Sequence, residues 1–320
     1  MSINVPPPLP QDPGGFSAID TIPATAAGAL PESDLAEGTR PMWRRGLEVF
    51  AENRLAVVGL VIFLAVVVFS FLGPLVYHTN QIQTNLANAN LPPGAGHPLG
   101  TDPDGYDQLG RLMAGGQVSL ELGLASAVVA TVIGTLWGAV AGYFGGFLDA
   151  VMMRVVDAAL SIPILFLLIV LATIITPTKL SLILIISMAS WLAISRLVRG
   201  EALSLRVREY VQAAKAMGGG SARIVLRHIA PNAVGTIIVN ATFQVADAII
   251  FIAYISYLGL GLPPPTTDLG GMLSNGVSYV DDGYWWLIYP AGALIVIIVI
   301  AVNFIGDALR DAFEVRLQRR

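Results

Sequence analysis

The sequence predicts an all-α membrane protein with six transmembrane helices, and three observations carry that prediction. Of its 320 residues, 55% are hydrophobic and only 12% are charged, about half the charged share of an ordinary soluble domain. Six apolar stretches, at 55–76, 119–141, 151–175, 180–198, 233–257 and 286–308, meet or approach the roughly 20 residues a helix needs to cross a bilayer core. The 18 lysines and arginines are also unevenly spread. With a cytoplasmic N-terminus, only Arg111 and Lys179 fall outside, and the other basic residues fall inside. Cytoplasmic loops carry the basic excess, so both termini are expected in the cytoplasm.

Two segments precede the first span. Residues 1–41 mix eight prolines with Gly, Ala, Ser and Thr. Such a mixture cannot bury enough apolar surface to fold by itself, and a disordered cytoplasmic tail is expected. Residues 42–54 set Trp43, Leu47 and Phe50 against Arg44, Arg45 and Glu48, the pattern of an interfacial amphipathic helix. A transmembrane domain follows over 55–320. Its first apolar stretch is long enough to remain as a span, so no cleavable signal peptide is expected.

The loop after the first span reads His97-Pro98-Leu99-Gly100-Thr101-Asp102, then Gly105-Tyr106-Asp107 and Arg111-Leu112. His97, Asp102 and Asp104 are metal-ligating types. Only His78 and His97 lie outside, however, and no ligand spacing joins them, so loop architecture is expected instead. In and after the second span, Gly134, Gly138, Gly142, Gly145 and Gly146 give the small-residue spacing that lets helices approach closely. In the third span Pro163 predicts a kink, and Arg154 and Asp157, three apart, are expected to pair on one face.

The fifth span places Thr236, Asn240, Gln244 and Asp247 within one helical face, flanked by Phe243 and Phe251. Lipid penalises such residues. Asn240, Gln244 and Asp247 are therefore expected either to line a translocation path or to bond between packed helices. The Gly- and Pro-rich stretch 257–265 breaks the helix. Irregular backbone near a bilayer is tolerated only when covered by protein or facing water. Trp285 and Trp286 are expected to anchor the last span at the interface.

The segment 196–231 is too polar to cross a bilayer, yet it lies between apolar spans. Tyr210-Val211, Ala213-Ala214 and Ala216-Met217 suit a short helix with a small-residue face. Gly218-Gly219-Gly220 is expected to stop it, because glycine readily takes the left-handed conformation that closes a helix. A second short helix is expected to run to His228, with Pro231 opening the next span. A small-faced helix at the cytoplasmic surface suits docking into a partner's groove.

Gln212-Ala213-Ala214, three residues, Gly218, then His228-Ile229-Ala230-Pro231-Asn232 resembles the "EAA loop" of ABC importer permeases. Arg208-Glu209-Tyr210-Val211 ahead and Arg227-His228-Ile229 behind are closest to peptide importers. Gln212 stands where that family usually has glutamate, and Ala230 where it usually has leucine. The outer loop resembles the peptide-permease HPLGTD motif, with Tyr106 where arginine is common. The stretch Tyr257 to Pro265 resembles the family's "FLGLG…PP" segment. The resemblance covers Trp43 to Leu317. It implies a type I importer permease fold, a heterodimer with a sister permease, two ATPase subunits that bind ATP and Mg, and an extracytoplasmic substrate-binding protein. It also implies that the loop 199–231 couples the permease to the ATPases through Glu209, Tyr210, Gln212, Ala213, Ala214, Gly218, Arg223, Arg227, His228 and Pro231.

Several function classes fall away. The only lysines are Lys179 and Lys215, and neither stands in a Gly-x-x-x-x-Gly-Lys-[Ser/Thr] loop, so ATP hydrolysis is expected only in partner subunits. The absence of cysteine excludes disulfides, thiolate metal sites and cysteine nucleophiles. No catalytic residues, no cofactor in this chain and no nucleic-acid partner are expected. The expected cargo is a di- or oligopeptide, with nickel, opine or glutathione-type cargo as the alternative. An ion-coupled secondary transporter should show an inverted repeat with paired broken helices, which is not evident.

Overall fold

The computed structural model describes residues 50–318. The expected tail and most of the expected 42–54 helix therefore lie outside the described residues. Among the described residues, helices joined by loops make up the fold. α1 (Arg54–Val76), α2 (Gln108–Phe144), α3 (Gly146–Leu160), α4 (Ile164–Ile174) and α5 (Lys179–Leu205) are followed by two short helices, α6 (Glu209–Ala216) and α7 (Ser221–Ile224). α8 (Val234–Tyr257), α9 (Leu269–Val277) and α10 (Tyr289–Gln318) complete the order. Among the described residues, the only β-type pairings are two isolated bridges in the loop after α1. α1, α2, α5, α8 and α10 are long and apolar enough to cross a membrane.

Capping sets where the long helices begin. Asn53 accepts the N–H groups of Leu55 and Ala56 at 3.0 and 3.3 Å, so Arg54 opens the spanning helix. The second span, expected at 119–141, is longer than its apolar middle. Asp107 caps it by accepting the Gly110 N–H at 2.8 Å, and its 37 residues reach about 55 Å. Hydrophobicity located only the part that needs lipid.

The third span departs from expectation. Instead of one kinked helix over 151–175, the chain breaks at Ser161-Ile162-Pro163, and α3 and α4 meet at 83°. Pro163 supplies no N–H and its ring crowds the carbonyl four residues back. The Ser161 N–H folds onto the carbonyls of Asp157 and Ala158, closing α3. Nor do Arg154 and Asp157 pair as expected. Asp157 binds Arg196 of α5 at 2.5 Å, because a guanidinium from the neighbouring helix reaches it.

α2 packs most extensively on α5. Ser126 lies beside Ser187, Gly134 beside Ile194 and Gly142 beside Ala202, so the two helices run in the same direction. A Cβ at Gly134 would lie 2.7 Å from the Trp191 carbonyl oxygen, and one at Gly142 would lie 2.6 Å from the Ala202 Cβ. Of the glycine stripe expected to allow close packing, Gly134, Gly138 and Gly142 do so, whereas Gly145 and Gly146, at φ +64° and +57°, turn the chain from α2 into α3. Trp137 and Trp191 close the seam edge to face at 5.1 Å.

α8 lies against α2 and α10, with Val245 and Ile249 packed among Leu120, Leu294 and Ile298. α1 rests on α10 and α2 and leaves Leu55, Val58, Val61, Leu64, Val68 and Leu72 exposed. At one end of the bundle the loops 77–107 and 258–288 meet, and at the other lie α6 and α7.

Candidate functional site

The site is built at the α6 end. Glu209 in the first turn of α6 and Lys215 in the last match the helix dipole. Gly218 adopts φ +79°. The Gly218 N–H bonds the Lys215 carbonyl and the Gly219 N–H bonds the Ala214 carbonyl, both at 3.0 Å. These are the two bonds of a Schellman stop, so the glycine turn expected from sequence is present. After α7 the backbone widens into a π turn over Val225–Ile229 and a 3-10 turn over Ala230–Asn232. Pro231 explains the widening, since it cannot donate to the Arg227 carbonyl four residues back. Asn232 Nδ2 donates to the His228 carbonyl at 2.6 Å instead.

The loop has two faces. Val211, Ile224, Val225 and Ile229 are buried on Ala139, Ile194, Val198 and Ala202, which seats the loop on α2 and α5. Ala214 is also buried within this chain, so its small size serves packing against its own fold. Glu209, Tyr210, Gln212, Ala213, Gly218, Arg223, Arg227 and Pro231 are exposed. His228 is half-buried, with its ring 6.5 Å from that of Tyr210. Met217, named in the expected helix, is 82% exposed, and the loop also exposes two apolar residues the sequence reading missed, Val207 at 67% and Leu226 at 59%. The signal was available: apolar residues in a polar segment that the buried stripe does not need.

Behind the loop, Arg199 grips Asp149 with two bonds of 2.5 and 2.7 Å, and Arg206 donates to the Gly142 carbonyl at 3.2 Å. These contacts tie α5 to α3 and to the end of α2.

The polar residues of α8 separate. Thr236 donates to Glu201 of α5 at 2.9 Å, and Asn240 donates to the Thr236 carbonyl at 2.8 Å. Gln244 is turned into the bundle at 7% exposure, whereas Asp247 is exposed. At 100° per residue, Gln244 stands about 60° from Asp247, enough to cross the edge of the buried face. The exposed stripe instead runs from Asp247 to Tyr254, two turns on and missed by the polar count.

At the opposite end, His97 Nδ1 lies 2.8 Å from Asp107, which also accepts the Tyr77 hydroxyl at 2.9 Å. Burial, then that hydrogen bond and the Asp107 charge, push the Tyr77 phenol up to about 12. Arg111 is 6% exposed and holds three segments. It pairs with Asp102 at 3.4 Å, donates to the Pro265 carbonyl at 2.6 Å and lies 3.8 Å over the Tyr106 ring. Burial raises the Asp102 carboxyl above its usual range, against the lowering effects of the Tyr106 N–H and Arg111. Trp286, expected to anchor the span at the interface, is buried and donates to the Thr101 carbonyl at 3.2 Å. Trp285 beside it is exposed. Asp268 caps α9 and accepts the Ser256 hydroxyl at 2.9 Å. The two loops thus form one braced platform.

Comparison with known proteins agrees with this architecture. Residues 134–319 match the family described as binding-protein-dependent transport system inner membrane component. Residues 41–93 match the N-terminal TM domain of oligopeptide transport permease C. The oligopeptide transport system permease protein OppC of Bacillus subtilis (strain 168) is 35% identical over 294 residues, 92% of this chain and 96% of that protein. OppC of Escherichia coli (strain K12) is 39% identical over 277 residues, 86% and 91% of the two chains. A putative peptide permease protein of Brucella suis biovar 1 is 40% identical over 284 residues, 88% and 93%.

Proposed function

The chain belongs to the binding-protein-dependent transport system inner membrane components, and from that premise we propose that it is the permease subunit of an ATP-driven importer of di- or oligopeptides. It is a multi-pass protein of the plasma membrane. The reading counts α3 and α4 as one bent span, giving six spans, a type I importer fold and both termini in the cytoplasm. Tail 1–41, interfacial helix 42–54 and permease domain 55–320 are its proposed divisions. A sister permease, two ATPases holding ATP and Mg, and an extracytoplasmic binding protein complete the machine. The named relatives, oligopeptide and peptide permeases, support the cargo.

The observation that carries the reading is the open face of the α6 loop. Its buried side fastens it to α2 and α5, and it exposes both Tyr210, Ala213, Met217 and Leu226 and the basic Arg208, Lys215, Arg223 and Arg227. A groove with an apolar floor and acidic edges on an ATPase fits that surface. ATPase closure then moves the loop, and α2 and α5 move with it because the apolar seat and the Arg206–Gly142 bond join them, while Arg199 carries the motion on to α3 through Asp149. The permease pair thereby switches from inward- to outward-facing, and hydrolysis resets it. The braced loops at the other end receive the binding protein.

Orientation is tested by single cysteines in this cysteine-free chain. Thr266→Cys should react with a membrane-impermeant thiol reagent in intact cells, and Met217→Cys should react only after lysis. Labelling of position 217 from outside would reverse the topology and remove the docking reading.

Asp247 borders the aqueous route, since a carboxylate facing lipid near mid-membrane would cost roughly 2.5–3.5 kcal/mol. In cells lacking the native subunit, the wild-type chain should restore uptake of a labelled peptide. Asp247→Asn should restore about one tenth of that rate, a loss equivalent to ~1.4 kcal/mol, at equal membrane abundance. Uptake at the full rate would place Asp247 off the route.

A further inference from the structure

We infer that Gln212 is a positioning residue that couples α6 to α5 within this chain, rather than a contact to the ATPase. The inference rests on the reading that α6 docks on an ATPase. The Gln212 side-chain amide lies 2.8 Å from the Arg206 carbonyl oxygen. A carbonyl accepts and cannot donate, so the group facing it must be the NH2 of Gln212. Arg206 is the C-cap of α5, with its own N–H on Ala202, and the last carbonyls of a helix have no partner inside it. Only Arg206, Val207 and Arg208 connect α5 to α6. The amide therefore closes a short ring between the end of one helix and the middle of the next.

The residue type matters at this place. The C-terminal end of α5 carries the negative pole of its dipole. An amide donor stabilises that pole, whereas a carboxylate on the same stem would face a carbonyl oxygen and repel it. Glutamate is the usual residue of the resembled loop at this position, and here it would undo the bond. Val211 and Ala214 fix how deeply α6 sits. The Gln212 bond fixes its rotation about the end of α5, and hence how far a push on α6 is transmitted.

The test uses the complete importer in vesicles, with a radiolabelled tripeptide as probe, and reads peptide imported per ATP hydrolysed. Gln212→Glu and Gln212→Met keep the side-chain length and lose the donor. Both should lower the ratio by about 2- to 10-fold, the worth of one hydrogen bond. Gln212→Lys keeps a donor within reach of the carbonyl and should stay near the wild-type ratio. A normal ratio in Gln212→Glu overturns the inference, as does a Gln212→Lys importer no better than Gln212→Met. Loss of the ATPases on co-purification of Gln212→Met also overturns it, because that loss places Gln212 on the partner. Ala213→Trp in parallel separates the two readings. If it couples normally, the docking itself is wrong; if it uncouples while Gln212→Glu does not, only the role of Gln212 is wrong.

Discussion

Valine at Gly138 is expected to destroy the α2–α5 pair. A Cβ there would collide with the Ser195 carbonyl oxygen and lie 2.9 Å from the Arg199 N and 3.0 Å from the Val198 Cβ. Two of those neighbours are backbone, which cannot rotate aside as a flexible side chain would. Overpacking a tight site costs about 1–3 kcal/mol, and occasionally more; here the upper end applies, because the helices must separate along the whole seam. Separation would also unseat Val211, Ile224 and Ile229, which rest on residues of both helices. Gly138→Val should therefore lower the yield of folded, detergent-solubilised chain severalfold and reduce its melting temperature. Gly200→Ala in α5 is the control. No atom lies within 4 Å of its would-be Cβ, and alanine gains about 0.5–1 kcal/mol over glycine in a helix interior. Equal stability of the Gly138→Val and wild-type chains would show that the two helices do not meet at that register.

Ala213→Trp is expected to uncouple the importer without unfolding the permease. Ala213 is exposed while its neighbour Ala214 is buried in the chain, so the indole leaves this chain's own packing intact and enters only the space where the proposed ATPase docks. A misfit of about 1.4 kcal/mol weakens association tenfold, and the bulk of an indole in a packed groove reaches at least that. Binding-protein-stimulated ATP hydrolysis should fall by about tenfold or more, with unchanged membrane abundance and melting of the subunit. Normal stimulation would remove the docking face. The structure chooses this position over Gly218, where a substitution would also strain a backbone at φ +79° and so confuse folding with docking.

Much of this was legible in the sequence, for identifiable reasons. The α6 loop could be read because a polar, basic, small-residue segment between apolar spans has few alternatives, and because Gly218 is a local device whose backbone needs no distant partner. The glycines of α2 could be read because their four-residue spacing defines a face. Residues that answer to distant partners could not. Asp157 sits three residues from Arg154, yet it binds Arg196, 39 positions away. Tyr106 reads as a lost arginine, but its ring supports Arg111. Gln244 and Asp247 share a face on a helical wheel and separate once neighbouring helices cover one edge of it.

The sequence by itself determined that the chain crosses a membrane, where most of its apolar helices lie, and where the polar loop between α5 and α8 turns. Burial in lipid, capping and glycine conformation act over a few residues and are written in local order. Only the tertiary structure decided that α2 and α5 run in the same direction along a glycine seam, that α3 and α4 part at 83°, and that Arg111 joins three segments. It likewise decided that Ala214 serves its own chain while Ala213 faces outward. Those outcomes depend on which side of each helix another helix covers, and close packing between segments far apart in sequence settles that.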